Sequence, residues 1–277
     1  MSDALGIIAG GGELPRAIAE SARNAGRAVF VLALTGITDD WAREFPCEWL
    51  TLGEPGRAIK ALRAHGCGKL TLAGRVQRPR FSELRLDAKG VMAAPRVIAA
   101  ALKGDDALLR SLVDLFEREG FRIIGAAEAA PELLAPAGPL GRILPSQEQL
   151  RDAAYALKVA RALGALDVGQ AAIVCDGLTL AVEAAEGTDA MIARIAALPE
   201  HIRGTPQKPR GVLAKALKPI QDRKTDLPVV GVQTIRNAAS AFLAGVAVEA
   251  VGALIVDRGA TVVEADRQGL FLTGLAD

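Results

Sequence analysis

Three stretches of the chain group residue types able to act on a phosphate ester. In Val182-Glu183-Ala184-Ala185-Glu186-Gly187-Thr188-Asp189, three carboxylates and a hydroxyl stand where an apolar strand gives way to a helix. Glu183, Glu186 and Asp189 recur every third residue, a spacing that stacks them on one face of a continuous helix or converges them if the chain turns at Gly187. Carboxylates beside free N–H groups suit a hard cation and a phosphate. They equally suit a solvated helix start, with Thr or Asp as N-cap and the acids favoured by the macrodipole. The densest stretch runs from Lys215 and Lys218 through Gln221 and Asp222 to Asp226. Between Arg203 and Lys224 it gathers Arg203, Lys208, Arg210, Lys215, Lys218, Arg223 and Lys224, with Asp222 the only acid before Asp226. Cations neutralise phosphate charge, and a carboxylate there can hold a metal ion or orient water; a solvated basic loop is the bland alternative. The third stretch, Ile8-Ala9-Gly10-Gly11-Gly12-Glu13-Leu14-Pro15, is a glycine turn between strand and helix. It can bring backbone N–H groups to a phosphate or serve as a tight turn only.

Other chemistries find less support. The two histidines, His65 and His201, lie in unrelated surroundings, which removes a His-rich metal site and weakens a triad; His65, beside Gly66, reads as a helix-end residue. Cys47, Cys67 and Cys175 are too far apart for zinc-ligand spacing and fit reduced thiols, with Cys175 a small core residue. Strand two ends Ala33-Leu34-Thr35-Gly36 without the acid that would hold a dinucleotide ribose, which argues against NAD. A net charge of +1 and 4% aromatic residues supply neither field nor stacking surface for nucleic acid. The start Met1-Ser2-Asp3-Ala4-Leu5 lacks the pattern of a signal peptide, and no apolar run is long enough to span a bilayer, so a cytoplasmic protein is expected.

The elements that must position these residues follow from periodicity. Strands near 5–9, 28–34, 69–73 and 121–124 alternate with helices near 15–25, 57–64, 93–102 and 105–119, several of them ending at a glycine. That alternation predicts an α/β fold with a Rossmann-like parallel sheet over residues 1–130. Residues 131–145 carry four prolines among glycines and read as a linker. Residues 146–277 read as a mixed α/β domain: a capping box at Ser146, a helix to about Leu163, then strands around 170–175 and 178–183 joined by the hairpin signal Asp176-Gly177. Further strands are expected near 212–216, 253–256 and 270–273, with a helix near 235–244. The apolar run Gly90 to Leu102 fits either a core helix or the lining of a lipid cavity.

The start IAGGGELP, the segment LAVEAAEGTDAMI and the segment KALKPIQDRKTDLPVVGVQTI, in that order, resemble the LpxI family, UDP-2,3-diacylglucosamine pyrophosphatases of lipid A biosynthesis. The resemblance covers nearly the whole chain. It implies a Rossmann-like N-terminal domain, a C-terminal domain of the family's own fold, and a substrate held between them. It implies Mg²⁺-dependent hydrolysis of UDP-2,3-diacylglucosamine to UMP and 2,3-diacylglucosamine 1-phosphate (lipid X), with water attacking the phosphorus nearer the sugar. On that basis Asp226 is the essential carboxylate, Asp222 a second acid, and Lys215 and Lys218 the phosphate contacts. Glu183, Glu186 and Asp189 join Asp226 as metal-ligand candidates, and Gly10, Gly11, Gly12, Thr188 and Gln221 as substrate contacts. A lipid substrate implies peripheral contact with the cytoplasmic face of the inner membrane, and a homodimer is expected from the apolar C-terminal half. The rival readings are a nucleotide-binding oxidoreductase and a non-enzymatic lipid or nucleotide carrier.

Overall fold

A computed structural model describes residues 4–77, 80, 84–219 and 227–276 of the chain, which divides after Pro131 into two units. Unit 1 runs β1 (Ala4–Ala9), α1 (Leu14–Asn24), β2 (Val29–Leu34), β3 (Cys47–Leu50), α2 (Pro55–Ala64), β4 (Cys67–Ala73), α3 (Ala88–Ala101), α4 (Asp105–Arg118), β5 (Arg122–Ile123) and α5 (Ala126–Ala129). Its strands pair in parallel in the order β3-β2-β1-β4-β5, the Rossmann-like arrangement expected. Central strands covered on both faces have no polar side to show, and β2, VFVLAL, is buried at all six positions.

Strand order reverses between β1 and β4, where open sheets of this kind leave a crevice. In this chain the crevice is bridged. Gly10 N–H donates to Ala73 O at 2.7 Å, and Gly11 and Arg75 exchange a reciprocal pair of backbone bonds at 2.9 Å each. A Cβ on Gly10 would sit 2.7 Å from Arg75 O, and one on Gly74 the same distance from Gly11 O. The crossing is therefore open only to glycine.

In the same unit, Asp87 joins two helix starts. Its Oδ1 accepts from Gly90 N–H at 2.7 Å as the N-cap of α3, and its Oδ2 accepts from Arg57 N–H at 3.0 Å in the first turn of α2.

Unit 2 runs β6 (Gly138–Pro139), α6 (Gln147–Ala165), β7 (Ala171–Cys175), β8 (Leu178–Val182), α7 (Gly187–Arg194), β9 (Val212–Lys215), β10 (Val229–Val230), α8 (Val232–Ser240), β11 (Gly245–Glu249), β12 (Leu254–Ile255), α9 (Arg258–Gln268) and β13 (Phe271–Leu275). Its main sheet has the order β6-β13-β11-β9-β7-β8, with β9, β11 and β13 parallel and the outer strands antiparallel. The hairpin forms at Asp176-Gly177, both at positive φ (51° and 79°) as a tight two-residue loop requires. Asp152 on α6 accepts the N–H groups of Asp176 and Gly177, each at 2.8 Å, and so ties the hairpin to the helix. Ser146 and Gln149 complete the capping box that opens α6.

Residues 131–145 do not behave as a linker. Ala135 N–H donates to Ala253 O, Leu140 N–H donates to Leu272 O, and β6 pairs with β13. Prolines are tolerated there because an edge strand has one side with no ladder to feed. β6, β10, β11 and α9 of unit 2 were missing from the expected set. β11 is a central strand of five residues whose apolar run has no period of its own, and α9 carries a weakly amphipathic pattern.

Glu264 on α9 is buried among Arg267, Gln268 and, from α8, Arg236, with contacts of 2.7 to 3.2 Å. The Arg267 hydrogen bond, then those of Gln268 and Arg236, hold its carboxyl down from 4.5 to about 2 against the opposing effect of burial. A depressed carboxyl contributes stability above its unfolded pKa and loses it as pH falls toward the folded one. Urea denaturation should therefore find Glu264→Gln less stable than wild type at neutral pH, by a margin that closes as pH falls from about 4.5 to about 2. A pH-independent margin would show that Glu264 acts by packing alone.

Candidate functional site

β7 runs antiparallel to both neighbours, so its beginning lies where β8 and β9 end: Ala172 faces Val182 and Ala171 faces Lys215. Glu183 N–H donates to Ala171 O at 2.9 Å and Ala216 N–H to Gln170 O at 3.0 Å, which carries the ladder one step beyond the strands. The acidic turn and the lysine segment, separated by some thirty residues of chain, are thus delivered to one edge of the unit 2 sheet.

Within the acidic turn the three carboxylates part company. α7 begins at Gly187, with Glu186 rather than Thr188 or Asp189 in the N-cap position, so no single helical face carries all three. Glu183 is buried: Oε2 accepts from Gln170 N–H at 3.0 Å and Oε1 from Thr188 Oγ1 at 2.5 Å. Glu186 pairs with Arg194 at 2.7 Å, and Asp189 accepts from Asn237 Nδ2 on α8 at 2.8 Å. Among the described residues no group of three His, Cys, Asp or Glu side chains gathers to hold a metal ion. The set expected from spacing is therefore not assembled from Glu183, Glu186 and Asp189 together.

Across the same edge, Lys215 is buried and its Nζ donates to Val229 O at 3.1 Å. Lys218 Nζ meets Asp167 Oδ1 at 3.0 Å. Glu249, at the end of β11, accepts Leu217 N–H at 2.9 Å and pairs with Arg161 at 3.3 Å, which holds the backbone between the two lysines. Gln221, Asp222 and Asp226 lie outside the described residues. Beside Glu183, the buried amide oxygen of Gln170 finds no hydrogen-bond partner among the described residues. The basic run also divides by role. Arg203 donates to Leu198 O and Gly204 O, and Arg210 pairs with Asp176 and donates to three loop carbonyls, so these two arginines staple loops.

Unit 1 holds two features of its own. In the glycine turn, Gly10 and Gly11 direct their N–H groups into the crossing with β4, whereas Gly12 (φ 90°) has open space around it. On the face of the sheet covered by α3 and α4 lies a cavity of about 140 Å³ with almost entirely apolar walls. Ile8, Leu32 and Leu72 form its floor, Gly90, Ala94 and Val97 of α3 its roof. The run Gly90 to Leu102 is thus no ordinary core helix, since its inward side borders a void.

Comparison with known proteins meets the chain along its length. Residues 4–133 match the model of the LpxI N-terminal domain and residues 136–273 that of the LpxI C-terminal domain. The chain is also 51% identical over 271 residues to the UDP-2,3-diacylglucosamine pyrophosphatase LpxI of Caulobacter vibrioides (strain ATCC 19089 / CIP 103742 / CB 15), covering 98% of this chain and 97% of that one. The chain belongs to the LpxI family. Its LpxI C-terminal domain includes the edge described above, and its LpxI N-terminal domain the cavity and the glycine crossing.

Several residues that shape this LpxI edge carried no signal in sequence. Gln170 and Glu249 matter because strand pairing sets them beside Glu183 and Leu217; only the register of β7 against β8 could have pointed to the first. Cys175 behaves as read: it is buried, and burial first, then the charge of Asp176, pushes its thiol up to about 11. Folded protein should therefore spare Cys175 from a thiol reagent that labels all three cysteines in urea; rapid labelling of Cys175 in the native state would contradict the burial.

Gly169 packs so closely on the Glu183 carbonyl that a Cβ would collide with it. Gly169→Ala should cost about 1–3 kcal/mol in urea denaturation by overpacking. Thr188→Val, which removes only the hydroxyl donor to Glu183, should cost about 1 kcal/mol.

Proposed function

We propose that this protein hydrolyses the pyrophosphate bond of UDP-2,3-diacylglucosamine, yielding UMP and 2,3-diacylglucosamine 1-phosphate in lipid A biosynthesis. The observation that carries the reading is 51% identity, across nearly the whole of both chains, to a UDP-2,3-diacylglucosamine pyrophosphatase. The chemistry of the two units supports it. A diacyl sugar nucleotide needs an apolar receptor for its chains and cations for its diphosphate; unit 1 has an apolar cavity and unit 2 a lysine-bearing edge.

In the reaction, a water oxygen bonds to the phosphorus nearer the sugar, and UMP leaves with the bridging oxygen. Lys215 and Lys218 offset the charge on the diphosphate. Lys215 Nζ donates to Val229 O, which holds the buried side chain in place. Lys218, released from Asp167 or sharing it, supplies the second cation. Asp226 orients the attacking water, with Asp222 four residues before it in sequence, while Thr188, Gln221 and, from the glycine turn, Gly12 contact substrate.

The described carboxylates do not make a ligand set for Mg²⁺, since Glu183, Glu186 and Asp189 each have separate protein partners. The Mg²⁺ proposal accordingly rests on Asp226 and Asp222. Against an oxidoreductase stands the engagement of Gly10 and Gly11 N–H in the β4 crossing, which takes two of the donors a dinucleotide phosphate would use. No described helix is long and apolar enough to cross a membrane; the proposed location is the cytoplasmic face of the inner membrane, through peripheral contact.

Asp226→Ala should lower UMP release at least a hundred-fold, about 2.7 kcal/mol of transition-state stabilisation, with the thermal melt unchanged. Turnover near wild type in that variant would remove Asp226 from the reaction. Chelator should abolish turnover and Mg²⁺ restore it; indifference to chelator would discard the metal while leaving the hydrolysis intact. Reaction in ¹⁸O-water should label the sugar phosphate and not UMP.

A further inference from the structure

Helix α3 is apolar on two sides. Gly90, Ala93, Ala94 and Val97 line the cavity, while Val91, Met92 and Leu102 face outward at 59%, 82% and 85% exposure. Pro95 and Ala99, both exposed, fill the positions between them, so the outer stripe follows the i, i+3, i+4 spacing of one helical face. A helix with apolar residues all round belongs in a core or against lipid, and this one lies at the surface of its unit. Its charge is one-sided. Between residues 75 and 103 the described cations are Arg75, Arg80, Arg85, Lys89, Arg96 and Lys103, of which Lys89 is paired with Glu119 of α4, against Asp87 as the only described acid in that span. Arg96 and Lys103 are exposed and fall beside the stripe by helical spacing, and Arg85 is exposed just before the helix. Asp87 is held at the helix starts, where both its oxygens accept helix N–H groups.

Exposed apolar side chains rimmed by cations match an interface of anionic head groups over acyl chains. We propose that the outer face of α3 docks on an anionic lipid surface, with Met92, Val91 and Leu102 inserted below the head groups and Arg85, Arg96 and Lys103 against their charge. The same helix roofs the cavity, so docking brings an apolar receptor to the leaflet with one helix between them. That last consequence rests on the proposed reaction; the docking itself does not.

The test uses the full chain and Met92→Glu/Leu102→Glu, neither residue of which lines the cavity. Wild type should float with vesicles of phosphatidylglycerol and phosphatidylethanolamine and not with phosphatidylcholine alone, and should detach in about 0.5 M salt. The double variant should partition at least about ten-fold more weakly, with an unchanged thermal melt and unchanged UMP release from detergent-dispersed substrate. Arg96→Glu/Lys103→Glu, which leaves the apolar stripe in place, should lose the preference for anionic vesicles.

Equal vesicle binding by wild type and Met92→Glu/Leu102→Glu would overturn the proposal, as would absence of binding by wild type. A smaller particle for the variant by light scattering would overturn it in favour of a second copy of the chain on this face. Loss of activity in detergent would overturn it in favour of a role within the substrate site. Vesicle binding is read without substrate, so a wild type that binds vesicles yet releases no UMP supports docking while refuting the proposed reaction.

Discussion

The ladder β8-β7-β9 is the constraint on which the rest of the candidate site depends. β7 is buried at every position and pairs antiparallel on both sides, so its start meets two strand ends at once. Its two faces enter different clusters, Ala171 and Ile173 in one and Ala172 and Val174 in the other, so a one-residue slip in either pairing would exchange side chains of different size between two packed cores. Because of that register, Glu183 and Lys215 leave their strands at the same edge. The contacts that finish the edge, Glu183 to Gln170 N–H and Glu249 to Leu217 N–H, fix loops whose approximate place the ladder has already determined.

A second regularity concerns what acids do in this chain. Asp87, Asp152, Glu183 and Glu249 each accept at least one backbone N–H. Charge-assisted bonds of this kind are stronger than neutral ones and hold irregular backbone where no ladder reaches. The cost is that such a carboxylate has fewer lone pairs left for a ligand. Acids clustered in sequence can therefore mark a turn that needs fastening rather than an ion that needs holding, and Glu183 fastens such a turn.

Glycine in unit 1 tells a similar story. The turn Gly10 to Gly12 sits where a parallel sheet of this order usually receives its ligand, yet Gly10 and Gly74 pass each other so closely that their backbones close the crevice. An apolar cavity lies apart from that turn, beneath α3 and α4. α3 can stand over that void because Asp87 anchors its first turn from outside the helix.

Local pattern was enough for much of this. Alternating apolar runs and glycine stops located most strands and helices of unit 1, because a parallel sheet covered on both faces writes itself as continuous apolar segments. Asp176-Gly177 announced its hairpin, since few other residues tolerate two successive positive φ values. The three motifs, taken in order, pointed to the family that the whole-length matches show. What sequence spacing misjudged were relations between distant segments. Glu183, Glu186 and Asp189 look like one cluster at three-residue intervals, but a strand end and a helix start separate them, and each finds its partner elsewhere. The prolines of 131–145 look like a linker until β13 supplies an edge for β6 to pair with. β11 was invisible because a short apolar run has no period, and only the strands on either side of it decide that it is the middle of a sheet. A sequence records which residues prefer to be buried or to turn; which buried surfaces meet, and hence which side chains share an edge, is settled by long-range pairing that no local window contains.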